Sequence, residues 1–491
     1  MPSINIDPDV GCVVPAQGQW PVPPQDDQAL RDDRLWIDGC FDFFHHGHAG
    51  VMLQSRRLGN ELFVGLHSDE EIALNKGPTV MKLAERVAAV EACRFSTICV
   101  PHAPYVTSLP WITHYGCRFV THGDDITSDA SGNDCYRFVK KANRMKIVPR
   151  TPGISTTDLV GRMLLCTKTH FIKHLVDVLD GREGKGNDEE RLTRGKETRQ
   201  RFKEYAAASN GKDPYVDVYI FKPKHRPIER RRSSVRSMSS IDGSNGQRNY
   251  GKGAFTQMVP GKSPRPGQRV AYVDGGFDLF SSGHIAFLQT VTAIEKKNGE
   301  ERGWFTEEAK AKRISEHGED YPPAYIIAGV HDDEVINFHK GLNYPIMNIF
   351  ERGLCVVQCR YVHSVVFGAP FAPGTTYLES LPSTSGKLPD VVYHGPTSYM
   401  PPIPASYDDP YADAKASGIF VETPKHAFQD VNASQIVKRI LDNRAQYEER
   451  QRKKGIKGIT EAVQHQREIM EREAEAERNR KQREVERLYG A

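Results

Sequence analysis

With 491 residues, 38% of them apolar and 26% charged, the chain is long enough for two to three domains, each with its own core. A formal charge of +3 makes no electrostatic case for nucleic acid, and apolar runs such as Ala324–Val330 are far too short to cross a bilayer. No secretory signal is expected from the N-terminus, and nine scattered cysteines, among them Cys355 and Cys359 on one helical face, form no metal-like cluster and fit a reducing cytoplasm.

In chain order, residues 1–33 are rich in Pro, Asp and Gln and predict a flexible leader. Over 34–170, apolar segments at 35–37, 62–66, 97–100, 119–121 and 147–148 read as buried strands. Helical patterns at 47–59, 83–94, 107–115, 134–143 and 156–168 lie between them. Regular alternation of this kind predicts an α/β domain with a parallel sheet covered on both faces. Residues 171–268 are first charged, then rich in Arg, Ser, Gly and Pro, and predict a charged, disordered linker region. Within it, Arg230-Arg231-Arg232-Ser233-Ser234 has the look of a kinase site, although a solvated linker is the safer reading because such runs are common in linkers. The β-α order returns over 269–445. Residues 446–491, almost continuously charged and lacking Trp and Phe, predict a solvent-exposed helical tail and no membrane insertion.

The two halves are copies. Asp38-Gly39-Cys40-Phe41-Asp42-Phe43-Phe44-His45-His46-Gly47-His48 returns as Asp274-Gly275-Gly276-Phe277-Asp278-Leu279-Phe280-Ser281-Ser282-Gly283-His284. His67, Lys76-Gly77, Glu85-Arg86, Cys93-Arg94 and His122-Gly123 return in order as His331, Lys340-Gly341, Glu351-Arg352, Cys359-Arg360 and His394-Gly395. Each long motif should lie where a strand turns into a helix.

In the first copy, His45 and His48 at i and i+3 of a helix start present two N–H donors, and Gly47 lets a phosphate approach the backbone. Two imidazoles aimed at one phosphorus suit nucleotidyl transfer, with Asp42 placed to fix the His45 tautomer. Ordinary polar helix-start residues would give the same four-residue pattern. Downstream, Arg150-Thr151-Pro152-Gly153-Ile154-Ser155-Thr156-Thr157 precedes an apolar helix and predicts a second anion cradle, with Arg150 as a permanent cation. A plain N-cap is the bland alternative there. Lys76-Gly77-Pro78 offers a cation from a loop. His122-Gly123-Asp124-Asp125 follows the fourth strand, at the carboxyl edge where α/β sheets bind ligands.

These motifs, in this order, resemble the cytidylyltransferases of phospholipid synthesis. The resemblance covers residues 35–168 closely and 269–444 more loosely, and implies two tandem Rossmann-like nucleotidyltransferase domains. The tandem layout resembles the branch that acts on phosphoethanolamine. That branch makes CDP-ethanolamine and pyrophosphate from CTP for phosphatidylethanolamine synthesis, with Mg²⁺ on the triphosphate. By motif, His45 and His48 would stabilise the α-phosphate, Asp42 would position His45, and Lys76 would neutralise charge. Gly39, Phe41, Gly47, His122, Arg150, Ser155, Thr156 and Thr157 would hold CTP and its phosphates, and Asp124 and Asp125 would lie near the cytidine or the acceptor. No protein-held metal site is implied. A homodimer is compatible with the family. Phosphocholine as acceptor, caged by Trp111, Tyr105 and Tyr136, stays open, and so does a non-catalytic nucleotide-sensing scaffold.

The second copy departs from the pattern. Ser281 replaces the first histidine while His284 is kept, and Pro396-Thr397 replaces Asp124-Asp125. The late motif reads Val431-Asn432-Ala433-Ser434-Gln435, which places Ala427 opposite Arg150. This copy is expected to be degenerate.

Overall fold

Strand β1 (Arg31–Gly39) is polar at its start and fully buried at Leu35, Trp36 and Ile37, and it forms the centre of the first sheet. Strands β2 (Glu61–Leu66), β3 (Ile98–Pro101), β4 (Cys117–His122) and β5 (Met145–Ile147) complete it in the order β3-β2-β1-β4-β5, all parallel. The strand order reverses between β1 and β4, so the crevice at their carboxyl ends is the ligand-binding position of an open parallel sheet. Residues 5–223, 253–396, 409–449 and 452 are described by this computed structural model.

Two segments differ from what composition predicts. The expected linker contains strand β6 (Asp217–Pro223), strand β7 (Gly253–Val259) and a helix Asp188–Tyr205. That helix is charged on nearly every face, yet it is closed by an Asn187/Glu190 capping box and buries Phe202 and Tyr205. Two large aromatics three residues apart are enough to dock it. The expected leader is also anchored: the Trp20 indole stacks on His114 with ring centroids 3.5 Å apart, and Asp7 accepts the Ser108 hydroxyl. The kinase-like run at Ser233 and Ser234, and the tail beyond residue 452, lie outside the described residues.

The second copy repeats the first sheet with β8 (Arg269–Gly275), β9 (Ala324–Val330), β10 (Ser364–Phe367), β11 (Val391–His394) and β12 (Phe420–Glu422). Its order, β12-β11-β8-β9-β10-β6-β7, is the first copy's order extended at β10 by the two inter-copy strands. β6 joins β10 in parallel, and β7 pairs antiparallel to β6. The expected tandem parallel architecture is therefore present, with one antiparallel edge.

The copies meet about a pseudo-two-fold axis. Cys93 and Cys359 face each other in an antiparallel bridge, and the flanking arginines exchange roles across it. The Arg94 guanidinium donates to the carbonyls of Val357, Cys359 and Val362, while Arg360 donates to those of Cys93 and Ser96. Like the self-complementary interface of a symmetric dimer, the patch is used by both copies, and one apolar cluster runs continuously through it.

Several histidines are packed away from water in neutral form. Burial pushes His46, His284 and His363 down to about 3, and His331 to about 4. These values lie below imidazole's usual 6.5, so the unfolded chain binds more protons as pH falls past that point, about one per histidine. Stability contributed by their neutral forms is present above pH ~6.5 and drains away progressively down to pH ~3. The midpoint of urea unfolding should thus be lower at pH 5 than at pH 7.5; equal midpoints would contradict it.

Candidate active site

Between β1 and the helix His46–Leu58 the chain makes a tight turn with Phe41 and Phe43 both at φ +50°. Left-handed backbone at bulky residues is costed at about 1–3 kcal/mol each and is tolerated where the surroundings fix it. Here both rings are buried, and the Phe41 and Phe44 rings lie against His48.

His45 is the N-cap of that helix, with extended backbone at φ −118° and ψ 172°. Its Nδ1 accepts the Gly47 amide at 3.0 Å, and the Nδ1 of His48 accepts the His45 amide at 3.4 Å. The two residues therefore form a reciprocal capping box built from imidazoles. A ring nitrogen that accepts an amide carries no proton, so each neutral ring holds its proton on Nε2. The rings stack with centroids 4.0 Å apart and planes 14° from parallel. Two Nε2–H donors thus sit side by side at a helix N-terminus. Gly47 is required because a Cβ there would come 2.8 Å from the His45 ring.

Asp42 was expected to set the His45 tautomer. The Gly47 amide bonds Nδ1 of that ring, and the two Asp42 oxygens accept the amides of Val80 and Met81 at 3.1 and 3.0 Å. Asp278 does the same for Ile346 and Met347 in the copy that lacks the first histidine. The shared duty of this aspartate is to hold the loop that follows Lys76 or Lys340.

Lys76 reaches inward over the Tyr105 ring, with its ammonium 5.7 Å from the centroid. Cys40, ahead of Tyr105, Cys135 and Asp125, raises its pKa against the opposing pull of desolvation, so it is a cation at neutral pH. Lys340, by contrast, is pushed downward by burial.

Asp38 was not among the expected site residues, although it opens the duplicated motif. Buried at the end of β1, it accepts the Trp36 indole, the Thr107 hydroxyl and the Tyr136 hydroxyl at 2.8, 2.7 and 2.7 Å. Its counterpart Asp274 is in turn bonded by Tyr411. His122, at the end of β4, packs its ring 4.5 Å from Tyr136 and lies across the crevice from the β1 motif. Of the three aromatics considered as a cage, Trp111 is committed elsewhere, its indole donating to Val13 and its ring packed on Trp20.

The Arg150–Thr157 segment comes to the same place. Ser155 caps the helix Thr156–Leu165 by accepting the Asp158 amide, and the Thr156 hydroxyl donates to the Asp42 carbonyl at 3.1 Å. Asp124 accepts the Arg150 amide at 3.3 Å, which ties the end of β4 to this loop. An open cleft of about 540 Å³ is lined by Arg150, Gly153, Ser155, Asp158 and Arg162. Thr151 lies so close to the first helix that a Cβ on Gly50 would fall 2.2 Å from its hydroxyl and 2.4 Å from that of Tyr205.

In the second copy the start of the corresponding helix is packed against backbone carbonyls. The Ser281 hydroxyl donates to the Val431 carbonyl, and a Cβ on Gly283 would meet the carbonyl oxygens of Val431 and Phe428 at 2.5 and 2.9 Å. Carbonyl oxygens at a helix N-terminus occupy the place an anion would take. His284 is buried there in neutral form.

Residues 36–162 match the model of the cytidylyltransferase-like family. Ethanolamine-phosphate cytidylyltransferases from Dictyostelium discoideum and Mus musculus are 36% and 37% identical to the chain. Both alignments span 87% of this chain, and they span 95% and 90% of the respective relatives. Choline-phosphate cytidylyltransferase A of Homo sapiens is 38% identical over 136 residues, 27% of this chain and 37% of its own length.

Proposed function

The chain belongs to the ethanolamine-phosphate cytidylyltransferase family, and from that premise we propose that its first copy transfers the cytidylyl group of CTP to phosphoethanolamine, giving CDP-ethanolamine and pyrophosphate. The observation that carries this reading is the paired imidazole cap, whose motif is tied to the Arg150–Thr157 segment by the Thr156–Asp42 bond.

In the reaction a phosphate oxygen of phosphoethanolamine attacks the α-phosphorus of CTP. One P–O bond forms, the bond to the β-phosphate breaks, and pyrophosphate leaves with the electron pair. The acceptor's own phosphate is the nucleophile, so no covalent enzyme intermediate is required. Negative charge grows on the α-phosphate oxygens and the leaving group. Fixed donors aimed there stabilise that charge more than the ground state. We assign this role to His45 and His48, with the cation of Lys76 closing on the transferring phosphate. Arg150 and the helix start at Ser155, Thr156 and Thr157 take the β- and γ-phosphates. Asp124 and Asp125 lie at the β4 end of the crevice, near the cytidine or the acceptor.

Magnesium would be carried on the triphosphate's own oxygens. Among the described residues no group of three metal-ligating side chains is present. In the cleft Asp158 is already paired with Arg162. Such a donor set fits an ion that keeps its waters and binds through substrate phosphates. It would supply charge neutralisation of the departing pyrophosphate. Chelation with EDTA should abolish pyrophosphate release and added Mg²⁺ should restore it.

The deciding assay is pyrophosphate release with CTP and Mg²⁺, offering phosphoethanolamine and phosphocholine separately. Release with phosphoethanolamine and little with phosphocholine is expected. Equal rates would assign a broader acceptor range, and release with neither would leave a nucleotide-binding scaffold. Among the described residues no helix is long and apolar enough to cross a membrane. The cysteines, all present as thiols, support a reducing compartment such as the cytoplasm. A homodimer of the whole chain must use a face other than the one already filled between the copies.

A further inference from the structure

The pseudo-two-fold axis does more than join two sheets. It crosses the cradle helix of each copy with the lysine loop of the other. Arg162, on the helix that begins at the Arg150 cleft, donates to both oxygens of Glu351 in the second copy at 2.7 and 2.8 Å. It also donates to the Ile346 carbonyl at 3.0 Å and to Asp158, one turn back on its own helix, at 2.6 Å. Asn343 bonds the Arg162 carbonyl at 2.8 Å. Glu351 is itself held, because it accepts the Asn348 amide as the cap of its own helix.

The reciprocal contact is present on the other side. Arg439, on the helix Ala433–Asp442 of the second copy, donates to both oxygens of Glu85 at 2.8 Å and to the Val80 carbonyl at 3.3 Å. The Tyr447 hydroxyl donates to the Thr79 carbonyl at 3.0 Å. Thr79 and Val80 belong to the loop that starts at Lys76, and the Val80 amide is the one Asp42 accepts. The degenerate copy has thus lost its own anion cradle while keeping its grip on both working parts of the first.

We infer that the second copy is a positioning device for the first: Glu351 sets the phosphate-loop helix through Arg162, and Arg439 sets the Lys76 loop through Glu85 and Val80. Neither residue touches the substrates. Both act on the registration of groups that do, and displacements of about 1 Å at such groups cost up to ~100-fold in rate. The inference rests on the proposed cytidylyl transfer in the first copy.

The test uses the full-length chain and separate kcat and KM measurements. Glu351→Gln should raise KM for CTP about 10-fold, with kcat and the KM for phosphoethanolamine within about twofold. Arg439→Gln should lower kcat about 10-fold with a smaller change in the KM for CTP. Arg360→Gln, which weakens the central bridge of the same interface, should lower the melting temperature and leave both constants in place. Wild-type constants in Glu351→Gln and Arg439→Gln would overturn the inference, as would a shift of equal size in Arg360→Gln. Should Glu351→Gln fail to fold, Arg162→Lys reads the same constant, because lysine keeps the charge but cannot span Glu351 and Asp158 together. A wild-type chain without pyrophosphate release refutes the function itself; an active wild type with unmoved variants refutes only the positioning.

Discussion

Replacing His48 by alanine should lower kcat for cytidylyl transfer by a factor of about 100–1,000, with His45→Ala at least as severe. Loss of His48 removes one Nε2–H donor from the developing charge. It also frees the His45 amide, which His48 Nδ1 now accepts, so the helix cap loosens as well. Loss of His45 removes the other donor and the acceptor for the Gly47 amide, the second half of the same box. His284→Ala is the matched substitution in the second copy. There the imidazole is buried and neutral, and it accepts the Ser281 amide. Its removal should cost stability while leaving kcat within about twofold, because Ser281 stands where the first histidine would be and its hydroxyl is spent on the Val431 carbonyl. Steady-state kinetics on the three proteins, alongside thermal melts, reads both effects. Comparable losses of kcat in all three would mean that the second copy performs chemistry.

Gly50→Ala should be the most damaging change that touches no substrate. The new Cβ would lie 2.2 Å from the Thr151 hydroxyl and 2.4 Å from the Tyr205 hydroxyl. Neither neighbour can step aside easily: Tyr205 is buried and bonded to the His46 carbonyl, and Thr151 is buried next to Arg150. Overpacking of this kind costs about 1–3 kcal/mol. The strain is relieved by moving the Arg150–Ser155 loop off the histidine helix, which separates the two phosphate cradles. A fall of about 100-fold in kcat/KM for CTP is expected. Gly161→Ala is the control, since it lies on the cradle helix with nothing within 4 Å of its Cβ position. It should keep activity and gain up to about 1 kcal/mol of helix propensity. If both variants behave alike, steric contact between the two cradles is not what sets the site.

The duplicated strand-turn-helix motif was readable because apolar strands, glycines and histidines follow one another in sequence, and local order alone places them at a sheet's carboxyl edge. That logic singled out His45, His48, His122, Arg150 and Ser155, whereas Lys76 leaned on the resemblance to the family. Asp38 was not, because an aspartate at the end of a strand says nothing of three donors that arrive from Trp36, Thr107 and Tyr136. The bonds of Asp42 to the Val80 and Met81 amides were missed for the same reason, since those partners stand 38 and 39 residues away. Arg162 carries no motif and Glu351 only the Glu-Arg match with Glu85, and the two acquire meaning only when the copies pair. Composition misled twice. In both the leader and the charged helix, one or two large aromatics decide the packing, and averages over a segment hide Trp20, Phe202 and Tyr205.

The pairing of the copies within one chain has a consequence for dilution. Two separate subunits joined through such a patch would part as their concentration fell, and contacts like Arg162–Glu351 would vanish with the dimer. Covalent linkage replaces that bimolecular step with an effective concentration fixed by the tether. Specific activity per chain should therefore stay constant however far the enzyme is diluted. Cutting the backbone once between residues 223 and 253 should make it fall with concentration, with a midpoint that reports the internal interface together with the pairing of β6 to β10 and β7.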